Sequence, residues 1–286
     1  MSISFSMVIV LVVIALLSGV MLALHWRRQR QIRTAIARNL QQLRLLRELL
    51  AGFQRHRGLS QGLLAGDQSL RADQEAVRGQ LDRVIAGAAE IDARHAEAWS
   101  GVIDHWSRLR QGRVADPANN LQQHHLIIRN TIFLIEDIAA ERDLGQGLME
   151  FGYLPCIWRE VVQAAEWAGQ ARALGVGIAA AQASSPEQRV RLRFLHQKIQ
   201  QLSDTAFTAL DRQPLPSGLL ELSSCQRAVQ ELLFCMEQNL LNAERPGIEA
   251  KRYFQQATQA IDALLALVDG ALAHVQQSQA KRLKPM

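Results

Sequence analysis

Strand signals are missing from this sequence. Clusters of β-branched residues are sparse, Asn-Gly turns are absent, and apolar residues recur at spacings of three and four, the amphipathic-helix pattern. Catalytic signatures are missing too. There is no glycine-rich loop ending in Lys-Ser/Thr, no HExxH and no kinase or cyclase signature, so neither an enzyme nor a cofactor is expected. Cysteine is scarce: Cys156, Cys225 and Cys235 are an odd set without a CxxC spacing, which fits neither a disulfide framework nor a zinc site and reads as free, mostly buried thiols in a reducing compartment. Lysine occurs only at Lys198, Lys251, Lys281 and Lys284, so arginine supplies nearly all positive charge.

The net charge of +5 suggests nucleic acid until it is located. Arg27, Arg28, Arg30, Arg33 and Arg38 account for all of it, leaving the rest of the chain neutral and without a basic stripe interleaved with aromatics. No nucleic-acid partner is expected. Ahead of that cluster, Met7 to Leu24 is a run of apolar residues, Ser and Gly, long enough to cross a hydrocarbon core. The basic cluster comes after the run instead of preceding it, and His25-Trp26-Arg27-Arg28 is no cleavage site, so a retained anchor in the lipid bilayer over residues 5–26 is expected rather than a signal peptide. Flanking arginines tend to stay on the cytoplasmic side, which makes residues 27–286 cytoplasmic in a single-pass protein of the cell inner membrane; a periplasmic domain is the alternative orientation.

Helices fill the remainder. The first is expected to run through Ile32, Leu40, Leu46 and Leu50 and stop near Gly66, with Asp67 capping the next helix. A second, unbroken helix is expected from Leu70 to Leu109, and Asp116-Pro117 opens a third. Gly152 and Pro155 precede a fourth, Ser185-Pro186-Glu187-Gln188 is a capping-box start for a fifth, and breaks at Pro214–Gly218 and Arg245–Gly247 set off a sixth and a seventh. Short links between long helices imply antiparallel, up-down bundles. His124 and His125 are adjacent, point about 100° apart on a helix, and read as ordinary polar-face or edge residues rather than metal ligands.

The organising stretch is Gln54-Arg55-His56-Arg57-Gly58-Leu59-Ser60-Gln61-Gly62. Its Arg-x-Leu-x-x-Gly pattern, from Arg57, returns from Arg142 to Gly147 and from Arg172 to Gly177. Glycine inside a helix costs about 1 kcal/mol against alanine, so Gly58, Gly62, Gly145, Gly147, Gly175 and Gly177 ask for a tertiary reason. An arginine fork offers five donors matched to planar anions and keeps its charge when buried. Three such forks beside small residues are consistent with an anion pocket; solvated surface arginines beside helix-packing seams are the alternative.

Gln54 to Leu64, with its Arg-Gly-Leu-Ser core, resembles the first signature of the NIT domain, the nitrate- and nitrite-sensing module of bacterial signalling proteins. Glu166 to Gly175 and Lys251 to Leu264 resemble later segments of that family, so the likeness spans about residues 40 to 275. It implies an all-α fold of two up-down four-helix bundles sharing long helices, here preceded by one N-terminal transmembrane helix. The segments are then an anchor (1–26), a basic juxtamembrane stretch (27–39), the sensor (40–280) and a tail (281–286). The resemblance also implies that arginines between the bundles hold nitrate or nitrite; carried onto this chain they are Arg57, Arg142 and Arg172, then Arg55, with Gly58, Ser60, Gly145 and Gly175 in support. His56 stands where the family usually has Glu. Family members commonly carry an output module after the sensor, whereas this chain ends soon after its last helix, so signalling is expected through a partner protein or self-association. The rival reading is a membrane-tethered scaffold whose arginines pair only with Glu141, Asp143 and Glu166.

Overall fold

The computed structural model describes residues 5–88, 93–112, 116–140, 151–212 and 221–281, and every regular element among them is helical. α1 (Phe5–Leu64) runs unbroken from the apolar segment into the arginine motif. Its first part is long and apolar enough to cross a membrane, and Leu16, Met21 and Trp26 there are exposed. From Ile36 onward the same helix buries Leu40, Leu43, Leu46, Leu50 and Phe53 at the expected spacing. It ends where Gly66 adopts a φ of 103°, a left-handed conformation suited to glycine, and the Asp67 carboxylate accepts the Ser69 N–H.

α2 (Arg71–Ala86) returns antiparallel along α1, with Leu70 beside Gly62, Arg78 beside His56 and Leu81 beside Gly52. The expected single helix from Leu70 to Leu109 is corrected here: α2 ends at Gly87, and α3 (Ala96–Arg110) is a separate element. Asp82 accepts from Trp106 Nε1 at 3.0 Å and Arg110 Nε at 2.6 Å, positions that on one straight helix would lie about 36 Å or more apart. The chain therefore doubles back. The apolar spacing hides the break because Val77 and Leu81 of α2 and Val102, Trp106 and Leu109 of α3 all enter one core.

α4 (Pro117–Ala139) starts at the Asp116 cap with Pro117 in its first turn and also runs antiparallel to α1, pairing Ser60 with Asn120 and His56 with His124. α5 (Leu154–Cys156) leads through a π-helical turn, Ile157–Val161, into α6 (Val162–Ala181). α7 (Pro186–Asp211) opens on the Ser185/Gln188 capping box. α8 (Leu222–Met236) and α9 (Ala250–Lys281) come last.

Packing divides the helices into two sets. α1 packs on α2 and α4, and α4 on α3; α6 packs on α7 and α9, and α8 on both of those. α1 touches both sets: it meets α6, and it meets α9 through Arg47–Asp269 (2.7 Å) and Arg44–Gln276. α9 is also apolar enough to pass for a spanning helix, but half of its most apolar stretch is buried, as in a core helix. The three cysteines are free and buried, and burial pushes the Cys156 and Cys225 thiols up to about 12.

Candidate anion-binding site

Arg57 sits where α1 meets α6. Only 1% of its surface is exposed, which for a group that cannot lose its proton demands a partner. That partner is Glu166: Arg57 Nη1 donates to Oε1 at 2.5 Å and Nη2 to Oε2 at 3.3 Å. Gln54 Nε2 donates to Oε2 and Gln170 Nε2 to Oε1, each at 2.9 Å, so the carboxylate is held by four hydrogen bonds. Gly169, one turn along α6, leaves the space; a Cβ there would lie 2.7 Å from Arg57 Nη2. Ser60 is buried beside this group, donating to the Arg57 carbonyl oxygen at 3.2 Å and accepting from Asn120 Nδ2 at 3.0 Å.

Arg172 approaches from α6. It donates to Thr258 Oγ1 at 2.9 Å, and its guanidinium carbon lies 5.1 Å from the centre of the Phe254 ring, both on α9. Its pKa is lowered by burial first and by the Arg57 charge second; Asp262 and Glu166 oppose the shift, and Arg55 adds to it. Arg55, Arg57 and Arg172 are thus within electrostatic reach of one another. Arg55 is exposed and lines an open cleft of about 380 Å³ with Arg44, Arg47 and Gln80. Among the supporting glycines, Gly175 abuts Tyr253 on α9, whereas Gly58 faces open space. Arg142 and Gly145 lie outside the described residues.

The histidines depart from expectation. His124 is fully buried, not a polar-face residue, because it occupies the apolar stripe that includes Ile127, Ile128 and Thr131. The Asn120 carbonyl accepts from His124 Nδ1 at 2.7 Å, which places the proton there. His124 Nε2 then accepts from His56 Nδ1 at 2.8 Å, and His56 Nε2 from Arg78 Nε at 3.3 Å. Every ring nitrogen is satisfied with both rings neutral. His56 therefore faces Arg78, His124 and Trp106, none of them on α6.

Burial is the largest cause that holds His56 down to about 3 and His124 to about 4, with neighbouring charges adding to it. A histidine whose folded pKa is depressed is protonated more readily in the unfolded chain. Its contribution is fully present above the unfolded value of about 6.5 and is lost as pH falls from there toward 4 and then 3. Unfolding free energy is expected to fall steeply across that window, by up to about 1.4 kcal/mol per pH unit for each histidine, and the melting temperature falls with it. Replacing both residues with glutamine and repeating the pH series checks it: the slope between pH 6.5 and 4 flattens if the pair causes it.

The family model for nitrate and nitrite sensing matches residues 48–276. The chain belongs to the NIT family. The match begins within α1, after its apolar half, and spans all four candidate arginines. It points to a sensing protein rather than an enzyme. The solved structure titled "Structure of the NasR transcription antiterminator" has a similar fold at a TM-score of 0.67 and 19% identity, covering 94% of this chain and 76% of that one. No curated protein matches the sequence.

Within this NIT domain, sequence reasoning singled out the arginines and named Glu166 among their acidic partners, but not the other groups that hold them. Gln54 lies three residues before Arg57, and Gly169 and Gln170 lie three and four after Glu166, spacings that share a helix face and were the only local signal. Thr258 and Phe254 had no local signal, since they reach Arg172 only through the α6–α9 packing.

Proposed function

We propose that this NIT protein is a membrane-anchored signalling sensor that binds nitrate or nitrite through Arg57 and Arg172, with Arg55 at the rim and Arg142 as a fourth ligand. In this reading residues 5–26 cross the inner membrane, the sensor lies on the cytoplasmic side, and the two sets of helices are up-down four-helix bundles with the anion between them. The observation that carries the reading is the half-buried Arg172 within reach of both Arg57 and Arg55. Converging guanidinium groups repel one another, and a planar, weakly hydrated monovalent anion relieves that repulsion at modest desolvation cost. Binding then favours the arrangement in which the forks are close, by the difference in its affinity for the two arrangements. Because α1 carries the apolar segment, Arg55 and Arg57 on one continuous helix, such a change reaches the membrane, a partner protein or a second copy without crossing a loop.

The scaffold reading has one observation in its favour, the complete pairing of Arg57 by Glu166. Thermal melts of the full chain in detergent separate the two. Nitrate or nitrite at about a hundredfold excess over Kd stabilises a sensor by about 2.7 kcal/mol, or roughly 5–10 °C for a domain of this size. Arg172→Ala is expected to abolish that shift while the variant still melts cooperatively. An unchanged melt in millimolar nitrate and nitrite supports the scaffold.

A further inference from the structure

The Arg57 fork is already filled. The Glu166 carboxylate is a planar group with two oxygens, and both of them meet the guanidinium. Gln54 and Gln170 complete its donor set, one amide per oxygen. Nitrate, nitrite and formate are free anions that present the same planar pair of oxygens. One of them cannot share this fork with Glu166, since two negative charges would then crowd one buried guanidinium.

We propose that Glu166 is the resident anion of the site and the residue that sets its affinity and selectivity. Ligand binding is an exchange: the carboxylate leaves the Arg57 fork, and a planar monovalent oxyanion takes over the fork and the Gln54 amide. The exit leads toward the surface, where Gln170 is held by the exposed Arg191, whose Nη2 donates to Gln170 Oε1 at 2.6 Å. One amide therefore separates the resident carboxylate from an exposed cation that can receive it. Exchange explains selection as well as affinity. A halide has no pair of coplanar oxygens to replace those of Glu166, and a tetrahedral divalent anion matches neither its shape nor its charge. This inference rests on Arg57 being a ligand-binding residue, and its test is arranged to fail separately from that reading.

The experiment compares the full chain in detergent with Glu166→Ala and Gln170→Leu, each titrated with nitrate, nitrite, formate and chloride and followed by calorimetry and thermal melting. Removing the resident carboxylate is expected to lower stability without added anion, yet to raise affinity for nitrate, nitrite and formate about tenfold or more, a typical size for an internal coupling. Formate then restores the Glu166→Ala melt and chloride does not. Gln170→Leu, which removes one of four bonds to the carboxylate, is expected to tighten nitrate binding about threefold to fivefold with little loss of stability, and it carries the test if Glu166→Ala does not fold. A purely structural Glu166 gives the opposite signs: anion affinity falls or stays the same in both variants, and that result overturns the proposal. Nitrate-blind wild-type protein whose Glu166→Ala variant is rescued by formate would leave the resident anion standing and remove nitrate sensing.

Discussion

Arg57→Ala is expected to lower the unfolding free energy by about 3–5 kcal/mol, because it leaves the buried Glu166 charge without its counter-ion. At roughly 2–4 °C per kcal/mol for a domain of this size, the melting temperature falls by about 6–20 °C. Surface ion pairs such as Arg108–Asp104, with both side chains largely exposed, contribute about 1 kcal/mol or less and make a suitable control. Nitrate and nitrite responses are expected to disappear in the same variant while its helical circular dichroism at low temperature persists. Arg57→Lys is not conservative here, since one ammonium cannot meet two carboxylate oxygens in the plane of a fork. A melt within about 1 kcal/mol of wild type would show that the pair is hydrated and the site open.

The second large effect belongs to Gly175. A Cβ at this position would lie 2.3 Å from Tyr253 Cε1 and 2.6 Å from its hydroxyl oxygen. Tyr253 cannot give way, being a fully buried, rigid ring whose hydroxyl donates to the Ala171 carbonyl at 3.0 Å. Gly175→Ala must therefore push α6 from α9, at about 1–3 kcal/mol, and draw Arg172 away from Thr258 and Phe254. Weaker anion binding is expected alongside the lower melting temperature. Gly177, two residues on, faces open space, so Gly177→Ala is expected to gain up to about 1 kcal/mol instead. Opposite signs at these two glycines, read by melting, would locate the seam; equal signs would contradict it.

Those glycines also mark how far the sequence could be read. The repeated Arg-x-Leu-x-x-Gly pattern pointed to Arg57, Arg142 and Arg172; Arg57 and Arg172 lie at the α1–α6–α9 meeting point, and Arg142 lies outside the described residues. The pattern's glycines do not share one job, however, because Gly62 abuts Leu70, Gly177 faces open space, and the space beside Arg57 comes from Gly169, outside the pattern. Local signals read well: the Asp116 and Ser185 caps, the Gly66 stop and the Pro155 start all stand where turn and cap chemistry put them. The reversal between α2 and α3 was hidden by a stripe that serves one core from two helices. His124 was misjudged because histidine in an apolar stripe is tolerated only when both nitrogens find partners, and one partner, His56, comes from a helix far away in sequence. Partners across helices are a property of packing, which no single window of sequence contains.

Isothermal titration of the full chain in detergent with nitrate, nitrite and chloride addresses the central claim most directly. Saturable binding of nitrate or nitrite, with chloride silent and both responses lost in Arg172→Ala, is the predicted result. A cooperatively folded chain that gives no saturable heat with nitrate or nitrite would contradict it, and the arginines of this NIT domain would then be structural.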